Sequence, residues 1–159
     1  MTARTFAAWV RPVVQQLDAD RRSVIAFARA APPDLWDIPS AVDGWTNKDL
    51  LAHLAGGNDQ MLQTILRAVT SRAPLDPAAL DPDTDAENAA RIVERRSWSI
   101  DTLIAELERD SDEMQSLLSQ LSDDDEYLHP AGAPWTLGQL FGIVQKERHD
   151  NEHLVQMQR

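Results

Sequence analysis

Apolar residues in this chain recur at three- and four-residue steps through four long segments, and no segment sustains a one-by-one alternation. Only helices carry side chains to one face at that period, because a strand needs a period of two. The chain is therefore expected to be all-α, and sheet folds are set aside. Its 159 residues fit one domain, 1–159, long enough to hide roughly two-thirds of the surface its unfolded form exposes.

The first segment runs to about Ala30, with Val10, Val13, Leu17, Val24 and Ala28 on its stripe and a polar interruption from Asp18 to Arg22. Pro12 either opens this helix or kinks it, and Pro32 and Pro33 end it. The second opens at Gly44-Trp45-Thr46-Asn47-Lys48-Asp49-Leu50. Thr46 reads as its N-cap, Asp49 as the capping-box partner, and Trp45 with Leu50 as the apolar pair on either side. Leu50, Leu51, Leu54, Met61, Ile65 and Val69 continue the stripe. A Pro- and Asp-rich stretch, 72–84, is a connection.

The third is expected to be one long helix, from about Glu87 to Leu121, with Ser97-Trp98-Ser99 as a candidate break or kink, since serine competes for its own backbone. The acidic run Asp123–Glu126 that follows reads as a solvated turn. The fourth opens at Pro134-Trp135-Thr136-Leu137-Gly138-Gln139-Leu140, repeating the grammar of the second: Trp, Thr cap, box residue, Leu. Four amphipathic helices with moderate connections predict an antiparallel four-helix bundle.

Charge and composition narrow the function classes. Fifteen basic against 26 acidic residues give a net charge of -11, which opposes binding to nucleic acid or to an anionic membrane. No apolar run is long enough to span a bilayer, and Phe6–Val10 is too short for a signal-peptide core, so a soluble cytoplasmic protein is expected. The absence of Cys removes disulfides, thiolate nucleophiles and Cys-based metal sites. No Gly-x-Ser-x-Gly elbow, phosphate-cradling loop or His-Glu-x-x-His motif is present.

The four histidines carry the remaining signal. His149 and His153 stand four apart, which stacks two imidazoles on one helix face, close enough to share a metal. On a helical wheel His53 lies about 105° from the centre of the Leu50/Leu54/Ile65 stripe, bordering the core beside Gly57, Gln60 and Thr64. The same wheel puts His149 and His153 away from the Leu137/Leu140/Val144/Val155 stripe, on the flank with Gly142 and Lys146. Spacing alone leaves both a metal pair and two solvated histidines open. His129, beside Pro130, reads as a loop residue.

The stretch Trp45-Thr46-Asn47-Lys48-Asp49-Leu50-Leu51-Ala52-His53-Leu54-Ala55-Gly56 resembles the helix-two signature of the DinB-like superfamily, which includes the N-terminal domains of mycothiol-dependent maleylpyruvate isomerases. His149-Asp150-Asn151-Glu152-His153-Leu154-Val155-Gln156 resembles its closing motif, two histidines four apart followed by Gln. Asn88, Val93, Arg96, Leu103 and Leu107 share the cadence of its third helix. The resemblance implies a four-helix bundle with a divalent metal, zinc or nickel, held by His53, His149 and His153. It further implies a homodimer and a low-molecular-weight thiol, such as mycothiol, bacillithiol or glutathione, as co-substrate. Two departures stand out: Glu152 where many members carry a further His, and Gly57-Asn58 where an aromatic is common.

Three neutral imidazoles would leave an ion its full charge and an open coordination position, the arrangement of a catalytic metal. An external thiol bound there, ordinarily with a pKa near 8.5, would become thiolate near neutral pH. Asp59, Asp150, Glu152, Gln156 and Asn58 are candidates for orienting the rings. The expected function is a thiol-dependent transfer to, or isomerisation of, a small electrophile, with metal-hydroxide hydrolysis as the close variant. A non-catalytic metal- or small-molecule-sequestering bundle and a purely structural bundle are the alternatives.

Overall fold

The computed structural model describes residues 3–55, 60–81 and 84–158. It is an all-α bundle. The helices are α1 (Arg11–Ala30), α2 (Asn47–Ala55), α3 (Gln60–Ser71), α4 (Thr84–Arg95), α5 (Ile100–Leu118), α6 (Leu137–Glu147) and α7 (His149–Gln158), joined in part by short 3-10 turns. No strand occurs among the described residues beyond one isolated bridge, Pro39 to Thr46.

The helix ends follow the local chemistry of the sequence. Pro12 lies in the first turn of α1, where its missing N–H costs nothing, so it opens the helix and does not kink it. Thr46 Oγ1 accepts from Asp49 N at 3.1 Å while Asp49 returns a carboxylate to Thr46 N at 3.0 Å. Thr136 and Gln139 repeat the device at 3.2 and 2.8 Å. The repeated grammar thus marks two real helix starts. The third segment is two helices: the chain turns at 96–99, and Ser99 caps α5 by accepting from Thr102 N at 3.1 Å.

The core divides into two apolar clusters. One joins Val24, Ile25 and Ala28 of α1 to Leu50, Leu51 and Leu54 of α2, Leu103 and Leu107 of α5, and Leu154 and Met157 of α7. The other joins Val10 and Val13 to Leu62, Ile65 and Leu66 of α3, Met114 and Leu118 of α5, and Leu137, Leu140 and Phe141 of α6. Each leg passes from one cluster to the other through buried polar side chains: Asp20 and Arg21, Gln63, Asp110, and Asp150. The polar interruption in the first segment is therefore not a break in the helix. It is one wall of a polar layer across the middle of the bundle.

Following the clusters along the chain gives the direction of each leg. The α1 and α6–α7 legs run from the second cluster to the first, and the α2–α3 and α5 legs run the other way. Helix α4 makes the return between α3 and α5. Lys48 Nζ, at the start of α2, donates to Arg96 O at the end of α4 at 2.9 Å. A single helix from Glu87 to Leu121 could not make that return, which is why the serine-flanked break is needed.

Candidate metal centre

His53 lies in the second turn of α2, on a helix whose capping box and Leu50/Leu54 contacts fix its rotation. Eight of its nine residues are buried, His53 among them at 4 % exposure. Trp45, just ahead of the cap, covers the ring with centroids 5.3 Å apart. His149 and His153 sit on successive turns of α7 and are half-buried.

The three rings converge from two distant stretches of chain. His53 Nε2 lies 3.4 Å from His149 Nε2, and His149 Nε2 lies 2.9 Å from His153 Nε2. Ring centroids are 5.4, 4.9 and 4.3 Å apart for the pairs 53–149, 53–153 and 149–153. One nitrogen from each ring falls within 4.8 Å of the other two, a set that could hold a metal ion. Two imidazole nitrogens bound to one tetrahedral zinc at about 2.0–2.1 Å would stand about 3.4 Å apart, so the 53–149 spacing fits such an ion without rearrangement.

Electrostatics keep two of the rings, His53 and His149, neutral. Burial, then the neighbouring His153 and His149, pushes the His53 pKa down to about 3. Burial and His153 also hold His149 below the ordinary histidine range. Both rings therefore offer lone pairs at neutral pH. Gln156 Oε1 lies 2.5 Å from His153 Nδ1. A carbonyl oxygen can only accept, so Nδ1 donates to it, and Nε2 is the nitrogen that faces the cluster. His53 Nδ1 is buried without a hydrogen-bond partner.

What aims α7 at α2 is a break at Arg148, which adopts a left-handed backbone with φ 46°. A non-glycine residue is rarely held there. Two consecutive residues of α1 hold it. Asp20 receives Arg148 Nη2 at 2.6 Å and Nε at 3.2 Å. Arg21 gives Nε to Asp150 at 2.5 Å and Nη2 to its second oxygen at 3.4 Å. The acid-base order of α1 thus meets the base-acid order flanking His149, and the two ion pairs straddle that histidine.

Beside His149 a cavity of about 110 Å³ opens between α1, α3 and α6. Leu17, Met61, Leu62 and Val144 form its apolar wall, with the Asp20–Arg148 pair at its edge. A family model described as the DinB superfamily matches residues 16–157, from the first helix to the last. The chain belongs to the DinB superfamily. No curated protein and no solved structure matches it.

Of the side chains expected to orient the rings in this DinB-like protein, Gln156 does so. Asp150 engages Arg21, and Glu152 is exposed; the charge of each bears on His149. Asn58, Asp59 and Gly57 lie outside the described residues, Gln60 is exposed, and Thr64 is half-buried on α3. The wheel for the last segment is corrected: it assumed one continuous helix, and the Arg148 break resets the phase. Val155 is 38 % exposed, while Leu154 and Met157 are buried. His129 is an exposed loop residue away from the cluster, bonded to Ala133 O at 2.8 Å. In the Asp123–Glu126 run Asp123 and Asp124 are exposed, Glu126 is half-buried, and Asp125 is buried and paired with Arg72 at 2.6 Å. No described helix is long and apolar enough to cross a membrane.

Proposed function

We propose that this DinB superfamily member binds a divalent metal, zinc or nickel, through His53, His149 and His153, and catalyses thiol-dependent transfer to, or isomerisation of, a small electrophile. The observation that carries this reading is the approach of three imidazole nitrogens to within 4.8 Å of one another, from helices about a hundred positions apart in sequence. A metal bound there supplies Lewis acidity that lowers the pKa of a thiol or a water.

The chain's own groups supply the rest. The lowered pKa of His53 keeps that ring unprotonated and ready to donate its lone pair. Gln156 fixes the proton of His153 on the nitrogen away from the cluster. Leu17, Met61, Leu62 and Val144 would seat the apolar part of a small substrate beside His149 and exclude water from it. With no Cys in the chain, the sulfur comes from a small-molecule thiol. A homodimer belongs to the same proposal, with sedimentation as its check.

The test is consumption of an electrophile, for example maleylpyruvate or 1-chloro-2,4-dinitrobenzene, with mycothiol, bacillithiol or glutathione added in turn. Metal- and thiol-dependent turnover that disappears in His149→Ala, with helical content unchanged, is expected. Tight metal binding with no turnover for any thiol points to sequestration, and turnover without added thiol points to hydrolysis.

A further inference from the structure

Helix α4 is largely solvated, with Ile92 its one buried residue. Two of its arginines behave otherwise. Arg91 and Arg95, one turn apart, keep only 16 % and 12 % of their side-chain surface exposed. Both line a cavity of about 240 Å³ between α3, α4 and α5. Arginine stems are often covered while their charged heads stay in water. Here the head is covered as well, since Arg95 Nε is buried with no hydrogen-bond partner. The Trp98 ring, 4.9 Å from its Cζ, holds that guanidinium in place.

The acids on the cavity wall are already engaged. Glu94 takes Arg95 Nη1 at 2.7 Å. Arg109 bonds Glu106 at 2.5 Å and Asp110 at 3.0 Å, and Arg67 bonds Glu113 at 2.5 Å. Arg91 commits Nη2 to Glu87, a residue outside the cavity, at 3.2 Å. Among the described residues, no acid of the wall bonds the remaining donors of Arg91 or the second terminal nitrogen of Arg95. A planar carboxylate is the acceptor that matches such a pair of guanidinium edges.

The cavity also reaches α2, the helix that carries His53. Ala55, two residues past His53 on α2, is part of its wall. The charge of Arg91 is among those that reach the His53 ring. We propose that this cavity is a carboxylate site clamped by Arg91 and Arg95, and that the small molecule handled at the histidine cluster carries that carboxylate. The second half rests on the proposed metal-dependent function; the first does not.

Malonate, and malonamide as its neutral counterpart, are titrated into the metal-free protein by isothermal calorimetry at fixed ionic strength. On a chain of net charge -11, nonspecific attraction of an anion is disfavoured, so a saturable response reports a built site. Saturable malonate binding is expected, with none for malonamide. Arg91→Gln and Arg95→Gln should each weaken it by at least about tenfold while keeping helical content and melting temperature, and His149→Ala should leave it unchanged. Equal responses to malonate and malonamide, or wild-type affinity in Arg91→Gln, would overturn the site.

The link to the histidine cluster is read in cobalt-loaded protein from the thiolate absorption band. 3-Mercaptopropionate should bind at least about tenfold tighter than 1-propanethiol, with the advantage gone in Arg91→Gln. Equal affinities overturn the link. No band with either thiol sinks the thiol reading of the metal centre and leaves the malonate experiment to decide the cavity.

Discussion

Replacing Arg21 with Met removes one half of a buried ion pair. Both side chains of the Arg21–Asp150 pair are 8 % exposed, and their charged atoms meet at 2.5 Å. Arg21 also gives Nη1 to Leu107 O at 3.3 Å, tying α1 to α5 at the same level. Taking one partner from a buried pair costs about 3–5 kcal/mol, mostly because the remaining charge has lost its solvent and its counter-ion. For a chain of this size each kcal/mol moves the melting temperature by about 2–4 °C. Arg21→Met should therefore lower it by roughly 10 °C, and Asp150→Leu should do the same. The double variant Arg21→Met/Asp150→Leu should recover most of the loss, because no charge is left buried. Urea denaturation of the four proteins measures the cycle directly. Single-variant losses under about 1 kcal/mol, or a double variant no better than the sum of the singles, would refute the reasoning that this pair is both buried and coupled.

Stability of the metal-free protein should fall with acid. His53 is held at about 3 in the folded chain against an ordinary 6.5, so the unfolded state binds more protons between those values. That contribution is complete above pH 6.5 and is lost at about 1.4 kcal/mol per pH unit as the pH drops towards 3, a slope that His53→Asn should flatten in urea titrations. Thr46→Ala and Thr136→Ala should each cost about 1 kcal/mol by thermal melting, since the two caps make the same paired bonds. Gln156→Ala should weaken metal binding by about 10–100-fold with little change in melting of the metal-free protein, because it frees the His153 ring to turn.

Much of the fold was readable because it rests on local chemistry. The Thr46 and Thr136 caps, the Pro12 start and the Ser99 break are all set by residues within one helical turn, and such signals survive in a single sequence. The histidine cluster was half readable. The four-residue spacing of His149 and His153 is a local fact, but joining them to His53 required the family resemblance, since nothing local relates α2 to α7. What sequence could not show was the break at Arg148. Its left-handed backbone is held by Asp20, 128 positions away, and no glycine marks it. The apolar stripe drawn through that point therefore included Val155, which is 38 % exposed. Arg91 was invisible for a similar reason: it reads as a surface charge on a polar helix, and only the return path of α4 folds it inward.

Elemental analysis of purified wild-type protein beside His53→Ala, His149→Ala and His153→Ala decides the matter most simply. About one equivalent of zinc or nickel per chain in the wild type, with less than about a tenth of that in each variant, follows if the three rings grip one ion. Variants that keep the wild-type metal load would show that the cluster is a packing feature of the bundle and not a metal site.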